Sequence, residues 1–418
     1  MSRQPPKEET VSITVAPTTT FRRWSILACS LLAAMATTCV VSGVAFLIPE
    51  LQRGGHISLA HASLLASAPM VGLMLTTVAW GWALDRRGER RILLISLGAT
   101  VVCTAAIVAA AATGQDFGVI GALLLVAGAA AASTNGASGR IVVGWFPPEQ
   151  RGTAMGVRQM AQPLGVGVCA MTVPSASQHF GVASGFAVFL IVAVLALIAT
   201  AVAIVDPPTA ESGVSTQTSS GATSPVSRNP YRGNRFLVRV HAVSVLLVIP
   251  QMILWTFVPV WLIVDRGWSA PAAGALVTVT QVVGALGRIA AGRWSDVWRS
   301  RMKPIRVIAV AAGLTTGLLA LTDLIDSPVA IAVMVVASVV TVADNGLAFT
   351  AIAEYAGPSW SGRGLAIQNT AQYLAGSAAV PIIGATISAV GYPAAFAIAA
   401  IAPVVAAPLV PRDRSASD

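Results

Sequence analysis

Five ionisable side chains stand inside long apolar runs: Arg140, Arg158, Arg288, Asp344 and Glu354. A charge in such surroundings is costly, so each needs a partner or a task. A guanidinium presents a planar fork of donors that suits a carboxylate or another oxyanion. An enclosed carboxylate is balanced between desolvation, which favours the protonated form, and a nearby arginine, which favours the ionised one. That balance suits proton uptake and release. Amides accompany these charges. Gln159 follows Arg158, and Gln162 shares its helix face at i, i+4, while Pro163 and Gly165 loosen the helix there. Gln251, Gln281, Gln368, Asn369 and Gln372 recur in later runs, with Gln281 and Gln372 nearest the middle of theirs. Together these residues offer anion binding beside a titrating acid.

The elements that must position them are membrane helices. Of the 418 residues, 55% are apolar and 10% charged, and the mean hydropathy is +0.76. A soluble domain carries about 25% charged residues. Apolar runs long enough to cross a hydrocarbon core of about 30 Å recur along the chain. Windows of this kind place twelve spans near 24–49, 60–80, 92–112, 117–146, 152–176 and 182–205, then 236–264, 272–291, 305–325, 328–356, 363–388 and 392–410. The fold class is therefore an all-α integral membrane protein. The first run is too long for the core of a signal peptide and reads as a retained helix.

The segment between the two sets of six is rich in Ser, Thr, Pro and Gly and reads as a flexible linker. The expected organisation is a tail at 1–23, a bundle at 24–205, a linker at 206–235, a second bundle at 236–410 and a tail at 411–418. With the N-terminus inside, 21 Lys and Arg fall on the inside, span ends included, and two, Arg53 and Arg266, in outside loops. Positive charge is retained on the cytoplasmic side, so both termini are expected there. The net charge of +9 then reflects loops facing anionic lipid rather than nucleic acid. The four cysteines all lie in apolar runs without metal-ligand spacing, and no nucleotide-binding or nucleophile motif occurs. No metal, cofactor or enzymatic activity is expected; energy must come from an ion or solute gradient. His56 and His61 flank the first outside loop and read as surface residues or a pH sensor.

Charge gathers in GWALDRRGERR, residues 81 to 91, and the pattern returns as GRWSDVWRSR, residues 292 to 301. Gly81 aligns with Gly292, Asp85 with Asp296 and Arg90 with Arg301. Asn135-Gly136 matches Asn345-Gly346, and Arg151-Gly152 matches Arg363-Gly364, at nearly the same offset. The chain is thus two six-helix halves in parallel repeat, an arrangement found among transporters.

The first loop resembles the signature loop of the major facilitator superfamily; the second copy departs from it, with Arg299 where Gly88 stands in the first. The resemblance implies two bundles rocking about a central site near the bilayer midplane, usually as a monomer, in a bacterial plasma membrane. Gly81 and Gly292 would let helices approach closely. Asp85 and Asp296 would accept hydrogen bonds from backbone N–H groups at a neighbouring helix N-terminus. Arg86, Gly88, Arg90, Arg91 and Arg301 complete the expected cytoplasmic latch. Glu354, placed like a glutamate of sugar-porter branches, is its expected partner through Arg293 or Arg301. Arg288 stands where several carboxylate-transporting branches keep a basic residue, but the same arginine is common in branches with other substrates, so a structural role at the cytoplasmic mouth stays open beside anion contact.

The resulting expectation is a proton-coupled secondary transporter of a small organic anion. Arg140, Arg158, Gln162, Gln281, Arg288 and Gln372 are its candidate substrate residues and Asp344 its candidate proton-coupling group. For Arg140 and Arg158 a structural pairing with neighbouring side chains stays open, and for Asp344 a fixed salt bridge. The alternative is a proton-driven multidrug exporter. The drug:proton antiporters of this superfamily carry an acid in the first helix; span 1 has none, and AQPLGVG in span 5 matches their Gly-Pro motif only in part.

Overall fold

In lipid every backbone N–H and C=O must find its partner within the chain, and a helix does this with its own residues. The computed structural model accordingly contains helices and turns and no strand among the described residues, which are 20–55, 59–206, 229–232 and 235–413. Most of the expected N-terminal tail and linker, the last residues of the C-terminal tail, and His56 lie outside these ranges.

The first half begins with α1 (Thr20–Ser42), a 3-10 turn and α2 (Ile48–Gly55), which together make one crossing. It continues with α3 (Leu59–Arg87) and α4 (Glu89–Ala112). A fourth crossing joins α5 (Phe117–Ala131) to α6 (Ser133–Trp145), a fifth joins α7 (Arg151–Arg158) to α8 (Ala161–Phe180), and α9 (Val182–Ala203) is the sixth. The second half runs α10 (Phe236–Val260), closed by a π turn, then α11 (Ala270–Val297) and α12 (Met302–Leu324). Next come α13 (Val329–Val340) with α14 (Asn345–Ala356), and α15 (Ser361–Leu409). Gly391, at φ 83 and ψ 176, divides α15 into the last two crossings. Ten segments among the described residues are long and apolar enough to span a membrane. The fifth and eleventh crossings are less apolar and carry Arg158, Gln162, Gln368, Asn369 and Gln372.

Helices 3 and 11 run past the expected ends of their spans, to Arg87 and Val297. A hydropathy window closes where charge begins, but the backbone continues as helix, so Asp85 and Asp296 sit in the final turns. The end where these turns meet the loops before α4, α7, α12 and α15 is called the basic end below.

Three further crossings are interrupted by turns: at Ala132, at Gln159–Met160 and at residues 341–344. The second break has a covalent cause. Pro163 lacks the N–H that would bond the carbonyl four residues back, on Gln159.

One continuous apolar core joins the halves at the basic end. Ile26, Leu84, Ile141 and Met155 from the first half cluster there with Leu237, Ile305, Leu347 and Leu365 from the second. At the opposite end each half has its own core, around Val44, Leu124 and Phe186 in the first and around Leu254, Trp261 and Phe396 in the second. The halves are thus closed on one another at the basic end.

Candidate functional site

The closure at the basic end is built twice. Asp85 Oδ1 accepts from the backbone N–H of Gly362 at 2.8 Å and its Oδ2 from that of Arg363 at 3.1 Å. Asp296 Oδ1 accepts from the backbone N–H of Gly152 at 2.9 Å and its Oδ2 from that of Thr153 at 2.8 Å, with the Thr153 hydroxyl adding a bond at 2.7 Å. Each carboxylate therefore caps the N-terminus of a helix in the other half, where unpaired N–H groups and the helix dipole favour negative charge. Paired glycines allow the approach. A Cβ on Gly81 would lie 2.6 Å from the Gly362 carbonyl oxygen, and one on Gly292 would lie 2.1 Å from that of Gly152.

An arginine completes each copy. Arg301 bonds Asp296 at 2.7 Å, Glu354 at 3.1 Å and the Pro148 carbonyl at 2.7 Å. Burial disfavours its charge, but the bonds to Glu354 and Asp296 outweigh that and raise its pKa. Arg140 fills the matching place in the first copy, bonding Asp85 at 2.8 Å, Glu89 at 2.6 Å and the Pro358 carbonyl. Glu354 also reaches Arg151 at 3.4 Å, and it pairs with Arg301 rather than Arg293.

The remaining loop residues divide the work. Arg86 lies over the Trp82 ring at 4.0 Å, and Arg91 is exposed. Gly88, at φ 80, starts α4 against the Asp206 carboxylate, which accepts from the Arg90 backbone N–H at 2.7 Å. Asp413 repeats this cap in the second half, accepting from the N–H groups of Arg301 and Met302 at 3.0 Å each. Reading the sequence missed these two caps, because Asp206 falls in the expected linker and Asp413 in the tail. Their shared place just beyond spans 6 and 12 was the available signal.

Between the halves lies a cavity of about 90 Å³. Its wall includes Thr37, Asn135, Arg158, Gln159, Gln162, Gln251, Asn345, Phe349, Asn369, Gln372 and Tyr373. Arg158 is 3% exposed and ends the short helix α7, where the dipole favours a cation. Its Nε donates to Ser138 Oγ at 2.8 Å and its Nη2 to the Asn135 carbonyl and side-chain oxygens at 2.9 and 3.0 Å. Phe349 lies 5.2 Å from its Cζ. Among the described residues no carboxylate pairs with it and no hydrogen bond reaches its Nη1.

Below this cavity, Arg288 bridges two broken helices and both halves. Its Nη1 donates to the Gln159 carbonyl at 2.9 Å, the one that Pro163 leaves free, and its Nε donates to the Val342 carbonyl at 3.3 Å. Asp344, 2% exposed, stands at the N-terminus of α14 and feels the Arg288 charge without forming a salt bridge to it. Its Oδ2 has no hydrogen-bond partner among the described residues.

The structure thus separates the six candidate substrate residues. Arg158, Gln162 and Gln372 line the central cavity. Arg140 does not; carboxylates on α3 and α4 hold it in the basic-end closure. Arg288 lies beneath the wall, bound to main-chain carbonyls. Gln281 lines a separate space of about 20 Å³ with Trp255, Val277 and Met334, because its helix face turns into the second half.

The sequence profile of the Major Facilitator Superfamily matches residues 26–380. The chain is 45% identical over 395 residues to the "uncharacterized MFS-type transporter Rv2994" of Mycobacterium tuberculosis, covering 94% of this chain and 86% of that one. It is 24% identical over 257 residues to the "probable galactarate/D-glucarate transporter GudP" of Bacillus subtilis, covering 56% of each. The structure of the proton:xylose symporter XylE superposes with a TM-score of 0.75 at 15% identity, covering 94% of this chain and 97% of that one. With its doubled loop, its twelve crossings and this match over most of its length, the protein belongs to the major facilitator superfamily and is a multi-pass membrane transporter.

Proposed function

We propose that the protein is a secondary active transporter of a small organic anion, a carboxylate, coupled to protons. It works as a monomer in a bacterial plasma membrane, among lipids whose headgroups meet its arginines, with the basic end in the cytoplasm. The observation that carries this reading is Arg158. A buried guanidinium without a carboxylate partner is unfavourable by several kcal/mol, and it stands on the wall of the cavity between the halves. An anionic solute would complete the pairing and hold its place by charge-assisted hydrogen bonds. Among the described residues the wall carries no carboxylate, which a carrier of lipophilic cations would use. The GudP likeness supports a carboxylate substrate.

Proton coupling is assigned to Asp344 through Arg288. With Asp344 neutral, Arg288 stays on the Gln159 carbonyl and ties the halves together. With Asp344 ionised, its carboxylate competes for the guanidinium and loosens that tie. The closures at Asp85 and Asp296 then separate, and the cavity opens toward the basic side. Purified protein in liposomes tests this reading. A pH gradient should drive accumulation of a radiolabelled carboxylate, and a protonophore should abolish it. Carboxylate flux indifferent to the gradient would remove the coupling, and absence of carboxylate flux would remove the reading.

A further inference from the structure

We infer that the central site takes a hydroxylated monocarboxylate, with one negative charge on Arg158 and hydroxyl groups against the amides of Gln159, Gln162, Gln251 and Gln372. This inference rests on the anion-transport reading above and narrows its substrate class. Charge on the wall limits the ligand to one carboxylate. Arg158 is the one cation on the cavity wall among the described residues. Arg288 does not reach the wall; carbonyl oxygens hold it and Asp344 lies nearby. One carboxylate balances Arg158. A second would be buried without a cation, a strongly unfavourable state.

The polar groups left over on the wall select the rest of the ligand. Gln372 Nε2 donates to Ser244 Oγ at 2.9 Å and to Asn345 Oδ1 at 3.1 Å. Asn345 Nδ2 in turn donates to Gln251 Oε1 at 2.9 Å. These bonds fix the amide orientations and leave Gln372 Oε1 as an acceptor and Gln251 Nε2 as a donor. On the opposite wall, the side-chain amides of Gln159 and Gln162 have no hydrogen bond among the described residues. Both walls therefore carry side-chain amide donors and acceptors without a partner among the described residues. A hydroxyl both donates and accepts, so it matches either. An aliphatic chain would leave these groups dehydrated and unpaired. A neutral polyol would leave Arg158 unbalanced.

Dissociation constants of the purified full chain for four probes test this: gluconate, hexanoate, glucarate and glucose, read by calorimetry and by thermal stabilisation. Gluconate should bind at least about tenfold more tightly than each of the others, the equivalent of one lost hydrogen bond or more. Gln162→Leu, which removes an amide that bonds nothing else among the described residues, should lower the preference for gluconate over hexanoate by about tenfold, weakening gluconate and tightening hexanoate. Gln251→Leu should act likewise from the other wall. Hexanoate binding as tightly as gluconate, or glucarate binding more tightly, would overturn the inference and leave the anion reading intact. Glucose binding while none of the three acids does would overturn both.

Discussion

Arg288 donates from Nη1 to the carbonyl of Gln159, 2.9 Å away, and that carbonyl is free because the residue four positions on is Pro163. A break in one half of the protein thus supplies the acceptor that an arginine of the other half uses. Pro163→Ala would return a backbone N–H to the helix and a competing donor to Gln159. The hold of Arg288 should weaken by about 1 kcal/mol, and the population closed at the basic end should fall. A spin-label distance across that end, between the exposed positions 87 and 297, should lengthen on average. An unchanged distribution would show that the break serves only the local shape of the helix.

The caps at Asp85 and Asp296 are related by the internal repeat and make the same bonds to opposite halves. Asp85→Asn and Asp296→Asn should therefore give similar phenotypes. Each substitution weakens charge-assisted hydrogen bonds worth about 1.5–3 kcal/mol apiece. Turnover should drop by tenfold or more while substrate affinity changes little, since neither residue lines the cavity. Unchanged transport in both variants would mean that the closure does not limit the cycle.

Glycine contacts at this end differ in what they touch. A Cβ at Gly292 meets the backbone of Gly152, whereas one at Gly136 meets the tip of the Leu84 side chain at 3.0 Å. Backbone cannot yield and a leucine rotamer can. Gly292→Ala should hold the basic end open and nearly abolish transport, while Gly136→Ala should retain most activity. Cysteine-labelling rates at the basic end, compared between the two variants, check the order.

Asp344→Asn fixes the neutral form at the Arg288 contact. Carboxylate binding should persist, because Arg158 is untouched, while exchange across the membrane should slow, because the neutral side chain leaves Arg288 on the Gln159 carbonyl. Accumulation driven by a pH gradient should disappear, together with the pH dependence of exchange. Gradient-driven uptake surviving in this variant would move proton coupling to another group.

How far the molecule could be read from its sequence varied with the kind of signal. Hydropathy located the crossings, because each must bury its backbone and present apolar side chains to lipid. The repeat of Gly-x-x-x-Asp led to Asp85 and Asp296, whose spacing from a paired glycine is itself the contact geometry. Arg140 and Gln281 stand away from the central cavity, and the sequence could not place them for a common reason. Position along an apolar run gives neither the azimuth of a side chain around its helix nor what faces it, so Glu89 beside Arg140 was invisible as a partner. Tertiary partners such as the Asn135–Ser138 cradle of Arg158 arise from helices that a linear pattern cannot orient.

The central claim is that the Arg158 guanidinium awaits an anion, and binding to the purified protein tests it most directly. Thermal stabilisation by small carboxylates and by lipophilic cations should be compared in the unaltered protein and in Arg158→Gln. The account predicts stabilisation by carboxylates alone, lost in Arg158→Gln while its unliganded fold persists. Carboxylate stabilisation undiminished by the substitution, or stabilisation only by cations, would contradict it.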